Sequence, residues 1–267
     1  MESTSDEPEE RRLTFGEHLE ELRTAVLHSA VSLAVGVGIC LAFSNDLLSF
    51  VLQPMIKMSR DRDMTIQFLD PADPFFISMK VAGIAGFLLA SPFIFFFIWN
   101  FVAEGLYPKE RRYVMRVIPF VGALFVVGVL FLYFVVLPTG LPFLMDFIDI
   151  PIVKPGIALD KYVSFFLVLS IAMGIVFEVP VVLIILQKIG IVTPDHLAEY
   201  RRHAILAGVI LAAVVTPGGD LITLTLFTVP LIFLYEFSVW YGRRMLRKKR
   251  EKEKAEAEAD AEAEAEE

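Results

Sequence analysis

Three carboxylates of this chain stand where a carboxylate is conspicuous. Glu178 lies well inside a long apolar run, in Phe177-Glu178-Val179-Pro180. An ionised acid at membrane depth costs roughly 2.5–3.5 kcal/mol on insertion scales, so acids found there tend to serve a function. Pro180 lacks an amide and frees the carbonyl one turn back, which adds a second polar feature at the same depth. A polar, locally broken helix fits a water-accessible concavity or a partner contact. The plainer alternative is a protonated acid bonded to a neighbouring helix. Glu110 sits among Lys109, Arg111 and Arg112, and Glu21 lies on the polar side of a helix before the first apolar run. Two carboxylates at one membrane surface could pair with two guanidiniums of a ligand, each pair giving roughly 1.5–3 kcal/mol. Alternatively, the loop merely sets topology through its bases.

Other polar residues have simpler assignments. Asp220 follows Pro217-Gly218-Gly219 and reads as a turn residue. Glu236 snorkels or pairs with Arg243 or Arg244. His28 is an interfacial hydrogen-bonder. Cys40 is the single cysteine, so it acts as a small apolar filler and no disulfide forms within the chain. There is no Cys/His metal cluster, no phosphate-binding glycine pattern, no Ser-His-Asp arrangement and no pair of intramembrane aspartates. The expectation is a protein without catalytic residues, metal, cofactor or nucleic-acid partner.

The elements that must position these acids follow from composition. The chain has 267 residues, 56 % hydrophobic, with 24 phenylalanines and a mean hydropathy of +0.63. That is the signature of an integral membrane protein, and its expected fold is all-α and polytopic. Apolar runs place six transmembrane helices at about 24–44, 76–103, 117–138, 163–187, 205–216 and 221–240. An acidic, disordered tail covers 1–12, the membrane domain 13–245, and a charged, disordered tail 246–267.

Within this plan, 13–23 reads as a surface helix capped by Thr14 with Glu17, running into the first span. Residues 45–73 read as a polar loop with Pro54. Asp73 caps a long helix that Pro92 kinks. A second polar loop covers 139–162. Thr193-Pro194-Asp195 opens a short polar helix. The last two spans form a hairpin too short at its outer end to cross a full bilayer, so lipid thinning or a partner must meet the mismatch.

Lysine and arginine set the orientation. Of 24 such residues, 18 fall on the side of the two termini, which places both ends in the cytoplasm. No internal repeat is visible, which counts against carriers built from inverted halves.

Several separated motifs resemble the TatC family, the multi-spanning subunit of the twin-arginine protein translocase. They are His18-Leu-Glu-Glu-Leu-Arg23, Phe101-Val-Ala-Glu-Gly-Leu-Tyr-Pro-Lys-Glu110-Arg, the Phe177–Pro180 segment, and Pro54 with the 70–75 run. The resemblance covers about residues 13–245. It implies a concave, glove-shaped bundle in the cytoplasmic (inner) membrane that acts as a receptor and assembly platform. Glu21, Phe101 and Glu110 would bind twin-arginine signal peptides of folded precursors, and Glu178 would polarise the concave face. Thr216 and Asp220 would lie where TatA- and TatB-type single-span proteins dock, within a receptor complex that holds further copies of the chain. Transport would be driven by the proton-motive force. The chain departs from the family pattern at Glu104, where proline is usual, and in the five-residue turn Thr216-Pro-Gly-Gly-Asp220. Leu224 and Thr225 stand where some members carry a docking glutamine. A different reading, a proton-coupled carrier of small solutes, would rest on Glu178 alone.

Overall fold

The computed structural model describes residues 15–62, 65–104, 108–146, 156–215 and 221–266. These residues are helical apart from two three-residue strands and short connections. Hydrocarbon offers no partner to a backbone amide, so each apolar run must satisfy its own backbone as a helix.

Helix α1 (Phe15–Ala42) joins the surface segment and the first span without a break. Leu19, Leu22 and Val26 line an exposed apolar face. The Thr14 cap lies outside the described residues. α1 packs against α3 (Asp73–Glu104), and the contact depends on missing side chains. A Cβ on Gly86 would lie 2.5 Å from the Val37 amide nitrogen, and one on Gly36 would lie 2.5 Å from the Gly86 carbonyl oxygen. Without a hydrophobic force between helices in lipid, such close backbone approach is a main source of association.

Helix α2 (Ser44–Arg62) replaces the expected polar loop. Its buried residues Val51, Met55 and Met58 recur at helical spacing, and Leu47 packs beside them. Pro54 and the polar residues between them hide this stripe in the sequence. Pro54 deprives the Phe50 carbonyl of its helical donor, and Tyr133 Oη donates to that carbonyl at 2.8 Å. Tyr162 Oη donates to the next carbonyl, Val51, at 3.0 Å.

Strand β1 (Thr65–Gln67) follows and pairs in parallel with β2 (Gly156–Ala158), Ile66 opposite Ile157. This clip joins two connections that the sequence reads as separate loops. Asp73 does not cap α3 as expected. Its Oδ2 accepts from the amides of Leu69 and Asp70, both at 3.0 Å, and so fixes the entering turn. In α3, Pro92 leaves the Leu88 carbonyl without its amide donor, and Ser91 Oγ donates to it at 2.8 Å. Pro92 also forms the contact for α4 (Pro108–Phe131), since a Cβ on Gly122 would lie 2.8 Å from Pro92 Cα.

α4 continues through a π-helical turn (Leu132–Val136) into α5 (Leu137–Asp146). The expected loop from 139 is therefore helical as far as Asp146, because Leu141, Phe143, Leu144 and Met145 extend the apolar run. The Leu137 amide reaches back five residues to the Leu132 carbonyl. This widened turn directly precedes Pro138, which has no amide to place in a regular ladder.

α6 (Leu159–Ile189) is six residues longer than the expected span and ends at Gly190 with φ 86°, a left-handed cap. Thr193 Oγ1 accepts from the His196 amide at 3.2 Å and opens α7 (Pro194–Glu199), as expected. α8 (Arg201–Val215) and α9 (Leu221–Glu266) complete the chain. α9 extends to Glu266, so the segment expected to be disordered is helical. Its Ala, Glu and Lys residues are strong helix formers, and Arg247 pairs with Glu251 one turn on, at 3.2 Å.

Among the described residues five helices are long and apolar enough to cross a membrane: His18–Ala42, Asp73–Ala103, Phe120–Met145, Leu159–Ile189 and Thr223–Lys252. α8 has 15 residues, about 22 Å of helix against ~30 Å of hydrocarbon. The buried core gathers Met55, Ile77, Leu132, Leu137, Leu169 and Met173 from α2 to α6. The protein is thus an all-α, polytopic membrane protein.

Candidate functional site

The first turns of α1 meet the last turn of α3. The His18 ring stacks on Phe101 with centroids 4.5 Å apart and planes at 22°. Glu21, one turn on, places Oε2 3.7 Å from His18 Nδ1. That oxygen is buried and has no hydrogen-bond partner. One turn of α1 therefore presents an imidazole against an aromatic ring, with a carboxylate beside the imidazole. The geometry follows from the long antiparallel α1–α3 contact: the glycine crossing fixes the register, and His28 on Phe97, 5.1 Å apart, repeats the ring contact further along. His28 is thus a stacking residue, not only an interfacial hydrogen-bonder.

Glu110 lies in the first turn of α4, which opens at Pro108 four residues after α3 ends at Glu104. The short connection keeps its backbone at the Phe101 end of the bundle. The Glu104 and Glu110 side chains fall outside the described residues, as do Thr216 and Asp220.

Glu178 belongs to a different contact. It is half-buried on α6, the helix that packs on α4. Its Oε1 is buried without a partner. Around it α4 and α6 touch through glycines: a Cβ on Gly128 would lie 2.6 Å from the Met173 carbonyl oxygen, and one on Gly174 would strike the Phe125 ring. Phe177 is buried against Phe131, and Pro180 is buried as well. Glu178 is therefore held at a tight helix crossing, apart from the His18–Phe101 pair.

Other expectations change. Glu236 pairs with Arg201 of α8 at 2.8 Å, not with Arg243 or Arg244. Arg243 faces Asp195 at 3.6 Å, and Arg244 lies over the Trp240 ring at 5.3 Å. Cys40 is buried, as a filler should be. In the sequence His18 stands within the His18–Arg23 motif without an evident role. Its i,i+3 spacing from Glu21 is the signal that could have found it. No group of three or more potential metal ligands occurs among the described residues.

A family model for the Sec-independent protein translocase protein TatC matches residues 17–230. The chain belongs to the TatC family. It is 38 % identical to the TatC protein of Carboxydothermus hydrogenoformans over 235 residues, covering 88 % of this chain and 95 % of that one. Against the TatC protein of Aquifex aeolicus it is 36 % identical, covering 88 % and 97 %. The chloroplastic relative of Arabidopsis thaliana is 34 % identical, covering 87 % and 67 %. A crystal structure of the twin arginine translocase receptor TatC in DDM superposes with a TM-score of 0.75 at 36 % identity, covering 85 % of this chain and 99 % of that one. As a TatC-family member the chain is the core receptor and assembly subunit of twin-arginine translocation. It is a multi-pass inner-membrane protein and a receptor, not an enzyme. The solute-carrier reading finds no support among these relatives.

Proposed function

We propose that the His18–Glu21–Phe101 surface, together with Glu110, binds the arginine pair of twin-arginine signal peptides on folded precursors. The observation that carries this reading is the His18–Phe101 stack, beside which a Glu21 oxygen lies buried near His18 Nδ1 without a hydrogen bond. A guanidinium supplies the planar fork of donors that such a carboxylate lacks. Glu110, one helix start away, is the second acceptor. Phe101 offers a ring face to the peptide or to the guanidinium stem.

In the same reading the bundle has six spans with both termini cytoplasmic, α8 being the short crossing. Its shape is a concave glove polarised by Glu178. Thr216 and Asp220, between α8 and α9 in the sequence, mark the edge where TatA- and TatB-type proteins dock. Further copies of the chain join the receptor complex, and the proton-motive force drives transport. Support for this arrangement comes from the shortness of α8 and the distribution of Lys and Arg.

The test is site-specific photocrosslinking from positions beside Glu21 and Glu110 to a twin-arginine precursor. The expected result is strong crosslinks that fall with a twin-lysine precursor and vanish in Glu110→Ala. Normal crosslinking in Glu110→Ala, with normal membrane insertion, would remove Glu110 from the site.

A further inference from the structure

Two cavities adjoin beside α2, at the end of α3 opposite Phe101. The first has a volume of about 360 Å³, and its lining includes Phe50, Gln53 and Lys57 of α2 with Tyr133, Phe134 and Pro138 across from them. That is within the range of small-molecule sites, roughly 300–1,000 Å³. Lys57 and Gln53 are exposed at its mouth, and no carboxylate lines it among the described residues. The second cavity, about 140 Å³, lies between apolar residues that include Leu47, Ala85, Leu88, Val126 and Leu130. The two share Phe50 and Tyr133, whose rings stack 4.4 Å apart with planes at 8°. The Tyr133 hydroxyl proton is committed to the Phe50 carbonyl, so the shared wall presents mainly ring surface.

Charge and apolarity are thus sorted end to end, with one cation and one amide at the mouth and a hydrocarbon slot behind the aromatic wall. Phe50 of that wall is 46 % exposed and Phe134, next to it in the first cavity, 63 % exposed, which leaves the first cavity open sideways. In a membrane-spanning bundle the opening faces lipid. The molecule with this order of parts is a phospholipid: a phosphodiester suits the Lys57 ammonium, and an acyl chain suits a slot with no polar group to satisfy. A zwitterionic headgroup would carry its own cation toward Lys57, so complementarity favours an anionic one.

We propose that the paired cavity binds one anionic phospholipid, its phosphate on Lys57 and Gln53 and one acyl chain in the slot behind Phe50 and Tyr133. The lipid fills space between α2, α3 and the π-helical turn, and so seats α2 against the bundle. This site is distinct from the peptide surface, and neither assignment depends on the other.

The test uses the full chain in nanodiscs with phosphatidylglycerol bearing a diazirine in one acyl chain, followed by mapping of the crosslinked peptides. The expected adducts concentrate in 47–51 and 126–138. They fall at least fivefold in Lys57→Glu and persist in Lys57→Arg. Unlabelled phosphatidylglycerol competes, while phosphatidylcholine competes weakly and inorganic phosphate does not. Ala85→Phe, which blocks the slot, moves adducts out of 126–130 while thermal unfolding confirms that the variant is folded. Adducts spread evenly over all lipid-facing spans, or unchanged in Lys57→Glu, would overturn the proposal. Competition by phosphate would also overturn it, in favour of a free-anion site.

Discussion

Tyr133 donates its hydroxyl to the carbonyl of Phe50 at 2.8 Å, while the two rings stack 4.4 Å apart. One side chain thereby repairs the backbone fault that Pro54 makes in α2 and covers the ring of the residue that carries it. Tyr133→Phe keeps the stack and loses only the bond. It should destabilise the protein by about 1 kcal/mol, the net worth of one hydrogen bond at a part-buried site. In a Pro54→Ala background residue 54 regains an amide for that carbonyl, and the penalty should shrink below about 0.5 kcal/mol. Thermal unfolding of the four variants in detergent measures this cycle. Equal penalties in both backgrounds would show that the hydroxyl does not stand in for the missing amide.

Legibility in the sequence followed the physics of each signal. Long apolar runs have one satisfactory backbone solution in lipid, so α1, α3, α4 and α6 were readable, with ends wrong by several residues. The Thr193 cap was readable because a hydroxyl, a proline and an acid act within one turn. α2 was not, because Pro54 breaks the local pattern and its repair comes from Tyr133, far away in sequence. The parallel β1–β2 clip was hidden for the same reason: strands of three residues carry no period of their own. At the candidate site the motif residues were legible, and His18 on Phe101 was not, since stacking across two helices depends on a register set by Gly36 and Gly86. The partner of Glu236 was misread within its own helix, whereas the helix hairpin brings Arg201 to it.

The glycine crossing makes its own prediction. A Cβ on Gly86 meets the Val37 backbone at 2.5–2.6 Å, and backbone cannot move aside as a side-chain end can. Gly86→Ala should destabilise by about 1–3 kcal/mol, as overpacking does. It should also weaken precursor crosslinking beside Glu21, because α1 carries His18 and Glu21 to Phe101. Gly38→Ala is the control: with nothing within 4 Å of its Cβ, it should leave crosslinking unchanged and should not destabilise, gaining at most about 1 kcal/mol from helix propensity. Similar losses from both variants would mean that close approach at Gly86 does not govern this pair.

The aromatic contact separates shape from charge. Phe101→Tyr keeps the ring on His18 and should retain most precursor crosslinking. Phe101→Ala removes it and should reduce crosslinking at least fivefold while the protein still inserts. Full crosslinking by Phe101→Ala would leave the acids to act without the ring.

Lys80 of α3 and Asp160 of α6 form an ion pair that Ser164 extends, its Oγ 3.0 Å from the ammonium. The pair is about one-third exposed (36 % and 27 %), so solvent screening reduces its worth. Lys80→Met leaves the carboxylate partly buried alone and should destabilise by about 1–2 kcal/mol. The swap Lys80→Asp with Asp160→Lys should recover at least half of that. A swap no better than Lys80→Met would show that the lysine stem, rather than the charge, is what α6 needs.

At the other end of α6, Gln187 donates to the carbonyls of Leu183 at 3.1 Å and Ser238 at 3.2 Å. It thereby ties α6 to α9 beside the point where Tyr235 Oη bonds the Leu197 carbonyl of α7 at 2.6 Å. The amide fits only because position 242 is glycine: a Cβ there would lie 1.6 Å from Gln187 Oε1. Gln187→Ala loses one interhelical bond and should destabilise by about 1 kcal/mol. Gly242→Ala drives the amide from its place and should be worse, by about 1–3 kcal/mol. The two changes should not add. Once residue 187 is alanine, both contacts shorter than 3.1 Å are gone, and Pro194 Cγ at that distance needs only a small shift. The double variant should therefore lie close to Gln187→Ala alone, a coupling measured by thermal unfolding of the set. Additive losses would mean that glycine serves the α9 backbone itself, and that the Gln187 tie is incidental to how the last helix is seated.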